Sequence, residues 1–189
     1  MNFEEDIRQC LEVLKAGGVI LYPTDTVWGL GCDATNSDAV EKIFRIKRRD
    51  ESKSMIVLLA DGREVIQYVV EPDLRVFDYL DEAIKPTTVI YEGATGFAQN
   101  LIAADGSIAI RVTKDEFCKH LIKRLRKPLV STSANISGSP APANFTEITP
   151  DILGSVDYVV KYRQEDTRQA TPSAIIRWNT DGTVTEIRK

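Results

Sequence analysis

The sequence predicts a mixed α/β fold, and three observations carry that prediction. Segments with apolar residues at helical spacing alternate with short, nearly continuous apolar runs of strand length. Glycine and proline punctuate the passages between them, at Gly17-Gly18, Pro86 and Pro128. Near the end, Asp181-Gly182 joins two apolar runs in the manner of a tight hairpin.

The elements follow in order. Phe3, Ile7, Cys10, Leu11 and Leu14 mark a first helix, and Gly17-Gly18 ends it before a buried strand over 19–22. Asn36 or Ser37 caps a second helix that carries Val40, Ile43 and Phe44 on its apolar face. Residues 55–60 form a near-continuous apolar strand. Pro72 suits the first turn of a helix that runs through Leu74, Phe77 and Leu80 and closes before Lys85-Pro86. Strands follow at 88–91 and 107–112. A basic amphipathic helix over 116–126 leads through Pro128 into a strand at 129–133. Residues 157–161 and 173–178 read as strands, and 183–188 as the second arm of the hairpin. The polar stretch 162–171 reads as a mobile loop lying over something, and no internal repeat is present.

Composition bounds the function classes. The 189 residues suit a single domain, 1–189, with one sizeable core. A hydrophobic fraction of 43% and a charged fraction of 28% describe an ordinary globular protein. No apolar run approaches the roughly 20 residues that span a bilayer, so no membrane association is expected. The first six residues are acidic where a signal peptide is basic, and the expected location is the cytoplasm. Cys10, Cys32 and Cys118 are odd in number and widely spaced, which suggests neither a disulfide framework nor a metal site. A net charge of −4 argues against a surface built to coat nucleic acid, so direct tRNA binding is expected to be weak or absent.

Four clusters concentrate polar chemistry where strands or helices end. The first is Tyr22-Pro23-Thr24-Asp25-Thr26-Val27-Trp28-Gly29-Leu30-Gly31, behind an apolar strand. Pro23 cannot donate to a sheet ladder, so the chain must leave the sheet there, and strand ends of open α/β sheets are where ligands bind. The second is Lys47-Arg48-Arg49-Asp50-Glu51-Ser52-Lys53. Such a run is as readily a solvated face as a polyphosphate site, although Arg forks and Lys point charges at a helix end suit phosphate well. The third, Ser131-Thr132-Ser133-Ala134-Asn135-Ile136-Ser137-Gly138, carries more hydroxyls than a turn requires. In the fourth, Ser107 and Arg111 stand four residues apart on one face of a strand.

Familiar catalytic arrangements do not fit these clusters. Gly-x-Ser-x-Gly is absent, and the lone histidine, His120, lies among Lys119, Lys123 and Arg124 as a surface residue. Neither a Walker loop nor Gly-x-Gly-x-x-Gly appears. The available hydroxyls, amides, Lys and Arg suit reactions in which positioning and charge stabilisation do the catalysis, as in phosphoryl or nucleotidyl transfer.

With Lys47-x-Arg49, Lys85-Pro86-Thr87-Thr88 and Ser107-Ile108-Ala109-Ile110-Arg111 between the opening motif and the Ser131–Gly138 loop, the chain resembles the YrdC-type threonylcarbamoyl-AMP synthases. The resemblance runs in order from about Leu11 to the C-terminus and fits the short, single-domain form. It implies a twisted mixed sheet with flanking helices and a large concave basin. It also implies an L-threonylcarbamoyladenylate synthase, a nucleotidyltransferase that converts L-threonine, bicarbonate and ATP to threonylcarbamoyl-AMP and pyrophosphate for tRNA threonylcarbamoyladenosine modification. A downstream tRNA threonylcarbamoyl transferase complex would take the product, and Mg²⁺ would accompany ATP. Residue by residue, the resemblance assigns Thr26, Arg111, Ser131 and Ser173 to threonine. It assigns Arg49, Lys53, Ser107, Ser133, Asn135 and Arg188 to the nucleotide, and Lys47 and Arg49 to catalysis, with no protein metal ligands. Asp50, Ser54, Leu58, Ala141 and Trp28 depart from residues common in the family. Two other readings remain open: a non-catalytic RNA-binding or regulatory member of the superfamily, and a carbamoyl-group transferase on the same scaffold.

Overall fold

The computed structural model describes residues 3–179 and 181–189. In chain order the elements are α1 (Glu4–Lys15), β1 (Ile20–Tyr22), β2 (Gly29–Gly31), α2 (Ser37–Lys47), β3 (Ile56–Leu59), α3 (Arg75–Glu82), β4 (Thr87–Tyr91), β5 (Ile108–Val112), α4 (Glu116–Leu125), β6 (Leu129–Ser133), α5 (Pro150–Leu153), β7 (Tyr158–Val159), β8 (Ala174–Trp178) and β9 (Val184–Arg188). Short 3₁₀ turns occupy Gly62–Gln67, Gln99–Leu101 and Phe145–Glu147. The strands form one mixed sheet in the order β7-β1-β2-β6-β3-β5-β4-β8-β9. Its parallel pairs are β1 with β7, β3 with β5 and β4 with β8, and the other neighbours run antiparallel. The mixed α/β fold read from the sequence is the fold observed.

The helices are capped as their sequences dictate. Asn36 accepts from the backbone N–H groups of Asp38 and Ala39, and Asp115 accepts from Cys118, so α2 and α4 start where a side-chain oxygen can satisfy an orphan donor. On the core side, α1 packs against α4, with Phe3 edge-on to Phe117 at 5.6 Å. Ile7, Cys10, Leu14, Val40, Ile43, Phe44, Phe117 and Leu121 are sealed into the same core as β1, β3 and β6. All three cysteines are buried and free. Burial raises the Cys10 and Cys32 thiols far above their ordinary value, which fits small apolar residues better than nucleophiles.

Two sequence expectations are corrected, and one strand is added. The helix expected from Pro72 begins at Arg75, because the Asp73 carboxylate accepts from the Arg75 N–H at 3.0 Å and from Trp178 Nε1 at 2.9 Å, organising the first turn after the proline. The strand expected over 157–161 shrinks to two residues. Asp157 turns its carboxylate to the Val19 N–H, and the Lys161 and Tyr162 N–H groups leave the ladder for the Asp6 carboxylate. The strand β2 was not anticipated at all. It pairs with β1 and β6 through two glycines whose missing side chains make room for Tyr22: a Cβ on Gly31 would lie 2.5 Å from Tyr22 Cε1 and 2.8 Å from the Val130 carbonyl. Tyr22 fills that space and donates its hydroxyl to the Val130 carbonyl at 3.0 Å.

Candidate active site

The clusters at strand and helix ends converge because β6 runs between β2 and β3 in the middle of the sheet. Its C-terminal residues Ser131, Thr132 and Ser133 therefore face both the Thr26–Gly29 segment and the residues that precede β3. Around them lies a cavity of about 330 Å³, lined by Thr26, Arg49, Arg111, Ser131, Ser133, Asn135, Ser173 and Arg188 among others. Eight of the eleven residues assigned a role by the resemblance thus share one basin, and Ser54 and Ala141 line it with them. Three arginines line it, and no described Asp or Glu does.

Each arginine is held differently. Arg111, on β5, is 3% exposed and donates from Nη2 to Asp25 Oδ1 at 3.0 Å, while its buried Nε has no hydrogen-bond partner. Arg188, on the last strand, donates to the Ser173 carbonyl at 2.9 Å, and Ser173 in turn shares a 2.8 Å hydrogen bond with Thr88. The Arg188 guanidinium is shifted below its ordinary value, first by loss of hydration and then by the charge of Arg111. Arg49 donates to the carbonyls of Lys53 and Ser54, and burial also lowers its value. A cation such as Arg188, disfavoured by burial and by a neighbouring cation, is short of counter-charge, which favours an anionic ligand.

Lys47 and Arg49 stand two residues apart with opposite fates. The helix α2 ends in a left-handed residue, Arg48 (φ 49°), and the Arg49 N–H reaches back to the Phe44 carbonyl at 2.9 Å. This reversal leaves Lys47 facing inward and sends Arg49 to the basin. Lys47 is 1% exposed, and its ammonium donates to the carbonyls of Ser133 and Asn135, while its own carbonyl accepts from the Ser137 N–H at 2.8 Å. Asn135 closes the loop further by donating to the Ser139 carbonyl at 2.7 Å. Burial, followed by the charge of Arg49, lowers the Lys47 pKa to about 8.

Three of the residues assigned from sequence do not line the basin. Lys47 is spent on the backbone of the β6 loop. Lys53 is exposed beyond the rim, where its carbonyl rather than its ammonium supports Arg49. Ser107 donates its hydroxyl to Asp105 at 2.6 Å. Ser107 lies just before β5 and Arg111 within it, and four extended residues separate them by about 13 Å. Conversely, Asp25, which holds Arg111, and Thr88, which holds Ser173, have roles that the sequence pattern does not assign. Their signal was present: a carboxylate beside a future arginine partner, and a second threonine in Lys85-Pro86-Thr87-Thr88. In the opening motif, Thr24 accepts from the Thr26 N–H and donates to the Val27 carbonyl, fixing the turn that presents Thr26. Leu58 is fully buried in β3. Among the described residues no group of three or more His, Cys, Asp or Glu is placed to hold a metal ion, and no helix is long and apolar enough to cross a membrane.

Residues 12–189 match a family model described as "Telomere recombination", that of Sua5, YciO and YrdC. The chain belongs to the Sua5/YciO/YrdC family. Among solved structures, it resembles E. coli YciO with 25% identity and a TM-score of 0.83, over 98% of this chain and 89% of that one. It also resembles P. abyssi Sua5, solved in complex with L-threonine, with 23% identity and a TM-score of 0.86 over 98% of this chain. The chain spans only 54% of that Sua5 chain. HypF, solved in a phosphate- and nucleotide-bound form, matches 96% of this chain with 28% of its own, at 20% identity and a TM-score of 0.81. The nine-stranded sheet described above is therefore the Sua5/YciO fold.

Proposed function

We propose that this member of the family is an L-threonylcarbamoyladenylate synthase, which joins L-threonine, bicarbonate and ATP and releases pyrophosphate. The observation that carries the reading is the meeting of Arg49, Arg111 and Arg188 with the hydroxyls and amide of Thr26, Ser131, Ser133, Ser173 and Asn135 around one cavity free of carboxylates. Such a lining offers donors to an amino-acid carboxylate and to phosphates, and nothing that would repel them. The binding of L-threonine by P. abyssi Sua5 and of nucleotide by HypF supports the same division of ligands.

In this reading Arg111, held by Asp25, takes the threonine carboxylate, with Thr26, Ser131 and Ser173 around the rest of the amino acid. Ser133, Asn135, Arg49 and Arg188 take the nucleotide. The neutral threonine amine displaces water from bicarbonate, or adds to CO₂ with loss of a proton to solvent, to give a carbamate. A carbamate oxygen then attacks the α-phosphorus as the bond from that phosphorus to the pyrophosphate oxygen breaks. Arg49 stabilises the charge gathering on the departing pyrophosphate. Mg²⁺ would enter with ATP, neutralising phosphate charge, since the basin offers arginines and hydroxyls rather than a carboxylate cage. Lys47, which the resemblance assigns to catalysis, acts through the loop it pins. The product would pass to a tRNA threonylcarbamoyl transferase complex.

Isothermal titration tests the division directly. L-threonine is expected to bind wild-type protein and to lose at least about tenfold in affinity in Arg111→Ala, while ATP binding falls comparably in Arg49→Ala. Threonine binding that ignores Arg111 would defeat the proposal.

A further inference from the structure

A second cavity, of about 370 Å³, opens between the Pro23–Trp28 segment and residues 163–170 and shares Thr26 with the basin. Arg163 enters it from an unusual backbone. Its φ of 66° lies in the left-handed region, which a residue bearing a Cβ adopts only at a cost. The neighbouring chain imposes that conformation. Asp6 accepts from the N–H groups of Lys161 and Tyr162 at 3.0 and 2.9 Å, the Tyr162 ring packs on Phe3 and Phe117, and the Asp166 N–H donates to the Arg163 carbonyl.

The side chain so placed is under-used. Arg163 is 21% exposed and lies 2.7 Å from Asp115, a contact that balances charge but lacks hydrogen-bond alignment. Its Nε is sealed from solvent with no partner among the described residues. Buried guanidinium N–H groups left without acceptors are costly, and strained backbone concentrates at ligand sites.

The surrounding charges set the ligand class. Two carboxylates, Asp25 and Asp166, line the cavity together with Arg163 and Arg168, and Asp25, Asp115 and Asp166 are each paired, with Arg111, Arg163 and Arg168 respectively. Buried Asn144 accepts from the Thr146 N–H and hydroxyl on its carbonyl oxygen, which leaves its amide N–H₂ as donor. The carboxylates are thus charge-paired, while Arg163 and Asn144 keep unused donors. We propose that this cavity is a second binding subsite, for a small oxyanion of the carboxylate or phosphoryl type, with Arg163 as its main donor. The proposal requires no catalytic activity and stands apart from the reading of the basin.

Trp28 lines the cavity and provides the readout. The chain has two tryptophans, so Trp178→Phe leaves Trp28 as the only one. In that background its emission is followed during titration with inorganic phosphate and, separately, with acetate. A saturable change is expected with at least one of them, and the one that responds assigns the class. Arg163→Gly should weaken it at least about tenfold, with the fold retained because glycine suits the left-handed backbone. Arg49→Ala should leave it unchanged. The proposal is overturned by no saturable response to either anion, by an Arg163→Gly titration that matches its parent, or by loss of the response in Arg49→Ala instead.

Discussion

The loop after α2 and the loop after β6 are both short, polar and rich in ligand-binding residue types, yet the protein treats them in opposite ways. Ser133 to Ser139 is pinned: the Lys47 ammonium holds two of its carbonyls, the Lys47 carbonyl holds a third point, and Asn135 closes the far end. Arg48 to Ser54 is mostly exposed, tied down by local contacts such as the Ser52 N–H on Asp50 and the Arg49 guanidinium on the Lys53 and Ser54 carbonyls. A cradle of hydroxyl and amide groups held from the core thus faces a cation held only by its own loop. The difference teaches that two cations of one Lys-x-Arg motif can divide labour, one building the site and the other meeting the ligand.

That contrast predicts different signatures for the two residues. Lys47→Met should act on the fold: it strands buried carbonyls, each costing about 1–3 kcal/mol, so chemical denaturation should report a clear loss of stability together with weakened binding of both substrates. Full stability in Lys47→Met would return this lysine to the ligand side. Arg49→Ala should do the reverse, lowering turnover roughly 10²-fold with the melting temperature nearly intact, by analogy with removal of one preorganised donor. Arg48→Ala, on an exposed helix cap, should change turnover little; if Arg48 proved essential and Arg49 dispensable, the assignment of the open loop would fail.

Smaller effects refine the picture. Thr26→Val should raise the threonine requirement severalfold and spare ATP, because a site that pairs a substrate hydroxyl leaves its own groups unpaired without it. Titration showing ATP lost and threonine kept would reverse the division of the basin. The smallest effect is a pH dependence. The folded protein releases the Lys47 proton near pH 8, below the ordinary lysine value of about 10.4, so between those values the unfolded chain binds more protons. Stability should therefore rise with pH across that window relative to Lys47→Met, and parallel curves for the two proteins would contradict it.

What could be read from the sequence followed physical strength of signal. The apolar strands and amphipathic helices were legible because burial imposes their periods, and the hairpin at Asp181-Gly182 joins β8 to β9 as its turn residues require. The strand β2 was not legible, since Gly29-Leu30-Gly31 is selected by the Tyr22 ring lying across it rather than by strand propensity. The four-residue α5 is too short for periodicity to register. Most of the basin was visible as hydroxyls and arginines at strand ends. Its partition was not: whether a cation meets a ligand or a carbonyl depends on the left-handed turn at Arg48, and a non-glycine residue gives no local sign of it. The same holds for Arg163.

Pyrophosphate release, measured with each reactant withheld in turn, bears most directly on the central proposal, that the three-arginine basin makes threonylcarbamoyl-AMP. Release is expected only when ATP, L-threonine and bicarbonate are present together, because the attacking carbamate is assembled from the last two. Release that continues unchanged without threonine or without bicarbonate would contradict it.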